Sequence, residues 1–483
     1  MTELDYKELG FKAGLEIHQQ LDTKKLFCNC PTILRNDSPD FQVHRKLHAV
    51  AGQSGKVDVA AQYQASLGKE YSYEFHRENN CLVELDEEPP KEIDQEALKV
   101  TLQISLLLNC KIFQKTQIMR KTVVDGSNTS GFQRTVLIAR DGHVETSYGK
   151  VGIETICLEE DSARKTNEEE NKTVFRLDRL GTPLVEIVTS PDIQNPEQAK
   201  EAALQIGEIL RSCKVKRGLG TIRQDVNLSI RAENRVEMKG VQDMKTFVQA
   251  IENEVQRQKE LSDQGKPTEK EVRKVIEDTT SKFIRPMPGA DRMYPETDLP
   301  LLKIHRNTID NVKKNLPKLK SELREELKKK GLGEEMIRLL LKQERVEEYK
   351  ELLNYYDNPE FVAKMMLIFP KEIASKKGLE FNEVENKVSD FYEDILQSIA
   401  EEKIEESDVK EVFSNLLVGK PFKEAIKIEK ADTSQVENRV KKIIEEKPGL
   451  NPNAYMGLVM KEFKGQIDGK TAMELINKYA NQK

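Results

Sequence analysis

The sequence predicts an α+β protein in which an antiparallel-sheet domain over residues 1–300 is followed by a helical domain over 301–410 and a small helical tail domain over 411–483. Three observations predict it. Up to about residue 295 the chain is a succession of short alternating or apolar runs punctuated by glycine. From Lys303 to Leu353 it becomes charged with helical periodicity. Beyond Gly419-Lys420-Pro421 it breaks into short pieces at Lys447-Pro448-Gly449 and Asn451-Pro452-Asn453.

Each element follows from its pattern. The runs Gly14-Leu15-Glu16-Ile17-His18, Thr122-Val123-Val124-Asp125-Gly126, Thr135-Val136-Leu137-Ile138-Ala139, Val151-Gly152-Ile153 and Leu184-Val185-Glu186-Ile187-Val188 are too short and too β-branched for helices and read as antiparallel strands. Helices are expected between them from Asp94 to Asn109 and from Pro196 to Arg211, and then through the charged region, with Pro317 near a helix start and a break at Gly331-Leu332-Gly333. At 483 residues the chain has room for two to four domains of about 100–200 residues. No apolar stretch approaches the roughly 20 residues that span a bilayer, the first residues lack the basic start and apolar core of a signal peptide, and the six cysteines show no disulfide framework. The expected compartment is the cytoplasm. A net charge of −6 excludes a uniformly basic nucleic-acid coat, while Arg211, Lys214, Lys216 and Arg217, and Lys328 to Lys330, are either local phosphate contacts or solvated faces.

Acidic and imidazole side chains on otherwise apolar strands carry the chemistry. A carboxylate buried without a partner costs roughly 3 kcal/mol or more, so a strand seldom carries one unless a cation receives it. Glu16 and His18, two residues apart, project from one strand face and can meet one ion. Glu186 sits between Leu184 and Val188 on its own face, with Val185 and Ile187 on the other. Glu159 and Glu160 are adjacent, so both serve one site only if the strand ends or bulges there; otherwise one lies outside it. Hard oxygen donors of this kind suit Mg²⁺. In Gly218-Leu219-Gly220-Thr221-Ile222-Arg223-Gln224-Asp225-Val226-Asn227, Asp225 shares a face with Asn227 and is a further metal candidate, and Arg223 is a phosphate candidate. Neither standard glycine-rich phosphate-loop motif occurs. The polar stretch from Lys121 to Gln133 is either a loop presenting hydroxyls and amides to a substrate or a plain hairpin connection. Cys28-Asn29-Cys30 is half a zinc site that Cys81, His44 and His48 would complete; buried thiols are the default expectation. No nucleophile–base motif for amide hydrolysis is present.

On these residues the chain resembles the family of tRNA-dependent amidotransferase subunits formed by the archaeal E and bacterial B types. The resemblance runs from Gly14 to Leu21 through Cys28-Asn29-Cys30, Cys81 to Pro90, the Asp125–Gln133 loop, Glu159-Glu160, Arg176 to Gly181, Glu186, Asp225 and Met293 to Asp298, and more weakly through the tail. Gln19-Gln20, Cys28-Asn29-Cys30-Pro31 and Asp125-Gly126-Ser127-Asn128 favour the E form, which acts on Glu-tRNA(Gln); the B form and a noncatalytic tRNA-binding scaffold are the alternatives.

The resemblance implies a catalytic cradle domain, a helical domain and a tail that engages tRNA. It implies ATP-dependent phosphorylation of the glutamate γ-carboxylate on misacylated tRNA, then attack by ammonia to give Gln-tRNA(Gln). Glu16, His18, Glu160 and Glu186 would be catalytic, Glu16, His18, Glu159, Glu160, Glu186 and Asp225 would hold Mg²⁺, and Lys121 and Arg223 would meet ATP. Ammonia would come from a separate asparaginase-like protein of the D type, within a heterotetramer. One departure stands out: the E type ordinarily carries an additional domain between the cradle's last helix and the Pro288-Gly289-Ala290-Asp291 stretch, and here only about Leu261 to Ile284 separates them, too little for a domain of about 100 residues.

Overall fold

The structure, a computed structural model, describes residues 4–428, 433–463 and 469–480. The chain forms two compact units, Met1–Leu319 and Lys320–Lys483. The division falls beyond the expected change near residue 300 because Leu302–Lys303 pairs with Lys115–Thr116, and Ile304 and Val312 belong to the apolar core of the first unit.

That core lies beneath an 11-stranded sheet. Ten of its strands, numbered along the chain, are β1 (Lys12–Gln20), β2 (Ile118–Thr122), β3 (Phe132–Thr146), β4 (Gly149–Glu160), β5 (Pro183–Thr189), β6 (Ile222–Ser229), β7 (Val236–Lys239), β8 (Glu271–Val275), β9 (Ser281–Pro286) and β10 (Met293–Pro295). They lie in the order β9-β8-β7-β6-β1-β5-β4-β3-β2-β10, and Lys111–Ile112 pairs separately with β3. All of these pairings are antiparallel except β7 with β8. The mixed α+β character and the antiparallel-rich sheet therefore follow the sequence pattern, with one parallel pair that the pattern does not reveal.

Strand alternation divides this sheet chemically. Leu15 and Ile17 of β1, Ile156 and Leu158 of β4, Val185 and Ile187 of β5, and Val226 and Leu228 of β6 are buried in one cluster. Helices α1 (Gln95–Leu107), α2 (Pro196–Ser212) and α3 (Phe247–Asp263) supply the other half of that cluster through residues such as Leu102, Ile206 and Ile251. The first two start where the sequence says they should. Asp94 accepts from the Ala97 amide, and Asn195 accepts from the Gln198 amide with Pro196 in the first turn.

A second, four-stranded sheet runs Phe41–Arg45, Glu70–Phe75, Lys172–Arg176, Arg164–Glu168 around a core of Tyr71, Tyr73, Phe75 and Phe175. It anchors the Asp125–Gln133 segment: the Tyr71 hydroxyl donates to the Val124 carbonyl at 3.2 Å and Tyr73 to the Gly126 carbonyl at 2.8 Å. Gly126 is required twice over, by φ +87° and because a Cβ would sit 2.2 Å from the Tyr71 ring. The short stretch between α3 and Pro288 holds the hairpin of β8 and β9.

The second unit is helical. One apolar cluster spans Leu327 to Ala425, and a separate one spans Val436 to Ile476. The helix Val409–Leu417, expected to begin the tail, contributes Val412 and Phe413 to the first cluster, so the tail has its own core only from Val436 onward. Among the described residues no helix is long and apolar enough to cross a membrane.

Ile17 is 1% exposed at the centre of the sheet. Ile17→Ala is expected to lower unfolding free energy by about 2–5 kcal/mol in a denaturant titration. A loss below about 1 kcal/mol would show that this face is not the core.

Candidate active site

The face of the sheet turned away from the helices is a charged floor. Register places His18 opposite Glu186 on β5 and opposite Arg223 on β6, and Glu16 opposite Asp225. One strand further along, Glu159 of β4 stands opposite Leu184, and Lys121 of β2 stands opposite Gln133 of β3. Glu16, His18 and Glu186 keep their side chains on the polar face because Leu15, Ile17, Val185 and Ile187 beside them fill the core.

His18 is the hub. Its Nε2 is 3.3 Å from Glu186 Oε2, 3.5 Å from Glu16 Oε1 and 3.7 Å from Glu159 Oε1. Lys121 Nζ lies 2.9 Å from Glu159 Oε2 and 3.4 Å from Glu186 Oε2. Lys239 Nζ bridges Asp225 and Glu237, each at 2.6 Å. Burial alone would hold the imidazole neutral, but the Glu186 bond and the carboxylates of Glu186, Glu159 and Glu16 outweigh it and raise the His18 pKa above its ordinary 6.5. Burial likewise opposes the charge on Glu186, yet Lys121 and His18 prevail and hold that carboxyl below the usual range. Glu16 goes the other way, raised by burial and by the Glu186 charge. Carboxylates in one environment are thus driven apart in acidity, a mark of functional sites.

The floor opens into a cleft of about 840 Å³, within the range of small-molecule sites. Two overlapping ligand sets face it, Glu16–His18–Asp225 and His18–Glu159–Glu186, with donor atoms within 4.8 Å of one another. Oxygen donors with a single imidazole fit a hard divalent cation such as Mg²⁺.

Glu160, expected among the metal ligands, does not join them. It points out of the cleft, where its Oε2 accepts from the Arg134 amide at 3.2 Å and lies 3.4 Å from Arg134 Nη1. Arg134 also donates to Glu296 at 2.8 Å, and Arg120 grips Glu296 through two nitrogens. The strand stays regular at this point, so alternation sends Glu159 and Glu160 apart and leaves Glu160 to the arginines. Three consecutive carboxylates take three directions, because Asp161 turns to a third set of partners. Its Oδ1 accepts from Arg223 at 2.9 Å and its Oδ2 from Gln20 at 2.6 Å. Arg223 reaches the cleft, as expected, but as one half of that pair. Sequence reasoning missed Glu237 and Lys239, although Val236-Glu237-Met238 repeats the acid-between-apolar pattern that marks Glu186.

The thiols form a separate group. Cys28, Cys30, Cys81 and Glu84 have donor atoms within 4.8 Å of one another. Cys28 Sγ donates to Glu84 at 2.9 Å, and the fully buried Lys25 lies 3.5 Å from the same carboxylate. Hydrogen bonds from Cys28 and Cys81 pull the Cys30 thiol down to about 4. His44 and His48 are exposed and outside the group, with His44 bonded to Ser72 at 2.6 Å, so Glu84 takes the place expected of a histidine.

The GatB/GatE catalytic domain matches residues 11–310, and a GatB domain matches residues 347–479. The chain belongs to the GatB/GatE family. Among its relatives, the E subunit of glutamyl-tRNA(Gln) amidotransferase from Methanocaldococcus jannaschii is 35% identical over 99% of both chains. The proteins of that name from Thermococcus gammatolerans and Methanococcus maripaludis are 35% and 32% identical over 99% and 98% of both chains. The first alignment extends over 629 positions, more than the 483 residues present here, so that relative carries residues without a counterpart in this member of the GatB/GatE family. The catalytic-domain match contains the whole charged floor.

Mn²⁺ binding, followed by calorimetry, separates the adjacent carboxylates. Glu186→Gln is expected to weaken it by about tenfold or more, whereas Glu160→Gln leaves it within about twofold while lowering stability through the Arg134 contact. Protonated imidazole cannot donate to a metal, so affinity in the parent protein rises as pH increases through the His18 pKa above 6.5 and then levels off. Equal losses in both variants, or binding that ignores pH through and above this range, would contradict this division.

Proposed function

We propose that this chain is the activating and amidating component of a tRNA-dependent amidotransferase, converting Glu-tRNA(Gln) to Gln-tRNA(Gln) with ATP and ammonia. The convergence of Glu16, His18, Glu159, Glu186 and Asp225 on one cleft wall that also bears Lys121 and Arg223 carries the proposal. Membership of the GatB/GatE family and the names of its relatives support the choice of substrate. The substrate's γ-carboxylate oxygen attacks the terminal phosphorus of ATP and the bond to ADP breaks; ammonia then adds to the acyl phosphate carbon and inorganic phosphate leaves.

The polypeptide's part in this is binding and electrostatic placement. Glu16, His18, Glu159, Glu186 and Asp225 would hold Mg²⁺, which when bound neutralises phosphate charge. Lys121, fixed by Glu159 and Glu186, and Arg223, fixed by Asp161, present preorganised positive charge to phosphate oxygens without reorganising during reaction. Gln133, which ends the polar stretch from Lys121, lines the same cleft and offers its amide to the aminoacyl end. The tail unit is assigned to tRNA, the compartment to the cytoplasm, and the ammonia to an asparaginase-like partner, since the sequence carries no nucleophile–base motif for amide hydrolysis.

The test is the purified chain alone with Mg²⁺, ATP, Glu-tRNA(Gln) and either ammonium or a free amide. Gln-tRNA(Gln) should form with ammonium and not with glutamine or asparagine. Ammonia released from either amide by the isolated chain would overturn the assignment of that step to a partner, and no product with ammonium would overturn the function itself.

The thiol group supports a second metal. A set of Cys28, Cys30, Cys81 and Glu84 is the soft donor type of a closed zinc site. Protein isolated without chelator is expected to carry about one equivalent of zinc by elemental analysis. Cys30→Ser together with Cys81→Ser should remove it, and retention by that variant would place the metal elsewhere.

A further inference from the structure

Not every cation that lines the cleft is paired with a carboxylate. Lys121, Lys239 and Arg223 are each paired with acids on the floor. Arg235, Arg285 and Arg292 line the same cleft, and among the described residues none of the three has a carboxylate within ion-pair distance. Their polar contacts do not neutralise them. Arg235 Nε lies 3.2 Å from the Met287 sulfur, and Arg285 Nη1 lies 3.4 Å from the Pro286 carbonyl.

These arginines come from three separate segments. Arg235 immediately precedes β7, Arg285 lies in β9, and Arg292 closes the single turn Ala290–Arg292 that leads into β10. The turn is tied back by the Gly289 amide, which donates to Asp58 at 2.7 Å. Bringing like charges from three segments to one wall is unfavourable unless an anion lies among them, and guanidinium is the side chain best matched to phosphate oxygens. The same cleft holds an apolar strip, Leu219, Ile222, Met287 and Pro288, with Leu219 fully exposed at the tip of its loop. A polyanion joined to a flat, partly apolar group satisfies both surfaces.

We propose that Arg235, Arg285 and Arg292 form the polyphosphate-binding wall of the cleft and take the phosphate chain of a nucleoside triphosphate, with Leu219, Ile222, Met287 and Pro288 receiving its base. This rests on the ATP-dependent function proposed above and adds residues with no place in it. The division of labour is chemical: carboxylates on the floor serve the cation, and unpaired arginines on the wall serve the anion.

Calorimetry with the nonhydrolysable ATP analogue AMP-PNP and Mg²⁺ tests the wall without turnover. Arg285→Gln and Arg292→Gln are each expected to weaken AMP-PNP binding by about tenfold, the scale of one charge-assisted contact. AMP, which lacks the outer phosphates, should lose less than about threefold by the same scale, and Arg285→Lys and Arg292→Lys should recover part of the loss. Unchanged thermal unfolding in the lysine variants keeps a folding defect from imitating the effect. Uncharged tRNA(Gln) is the competing source of phosphate: loss of tRNA binding with AMP-PNP affinity intact would overturn the proposal in favour of a phosphodiester wall. Equal AMP-PNP affinity in parent and glutamine variants would also overturn it while leaving the ATP-dependent function standing. A parent protein that fails to bind AMP-PNP would remove both.

Discussion

The register between Lys12–Gln20 and Pro183–Thr189 puts His18 directly across from Glu186, and the rest of the site is arranged around that pair. Both strands lie in the interior of the sheet, so neither can slide without exposing Leu15, Ile17, Val185 and Ile187. The apolar face therefore locks the polar one. A shift of a single residue would exchange the two faces and dissolve the cluster and the core together. Catalytic geometry here draws its rigidity from hydrophobic burial on the opposite side of the same backbone.

That arrangement concentrates charge at a cost, and the protein distributes the cost locally. Glu186 is held ionised by Lys121 and His18, Asp225 and Glu237 share Lys239, and Asp161 shares Arg223 with the cleft. Each pair keeps its members in place at the edge of solvent, where a long side chain would otherwise sample many rotamers. The Arg120–Glu296–Arg134–Glu160 network performs a different task. It lies beside the cleft, stacks Arg120 and Arg134 on the Phe132 ring at 4.4 and 5.1 Å, and ties β2 and β3 to the segment after β10. Charge on the cleft side is available to ligands, and charge in that network is consumed within the fold.

The surrounding parts are built to hold loops against this floor. The buried tyrosines of the four-stranded sheet accept no choice of loop conformation at Gly126, and the Cys28–Glu84 group fixes the segment next to Thr129, whose hydroxyl donates to the Glu84 carbonyl at 2.5 Å. The hairpin of β8 and β9 brings Arg285 to the cleft.

Period-two alternation, read along single strands, already determined that Glu16 and His18 share a face, that Glu186 interrupts a buried strand, and that Glu159 and Glu160 cannot both serve one site on a regular strand. The helices expected from Asp94 and from Pro196 were local matters too, since the structure shows Asp94 and Asn195 capping them through hydrogen bonds from amides three residues on. Which of Glu159 and Glu160 faces the cleft was not a local matter. It depended on Arg134, a neighbour from another strand, receiving the second carboxylate. The thiol group was half visible as Cys28-Asn29-Cys30, but its completion by Glu84 rather than by His44 or His48 required the turn near Cys81 to fold back upon it. Arg235, Arg285 and Arg292 were invisible as a set, being ordinary surface arginines until three segments converge. Sequence dictates what each short stretch presents and on which side; only the tertiary structure decides which stretches meet, because long-range register and ion pairing are set by the burial of the whole sheet.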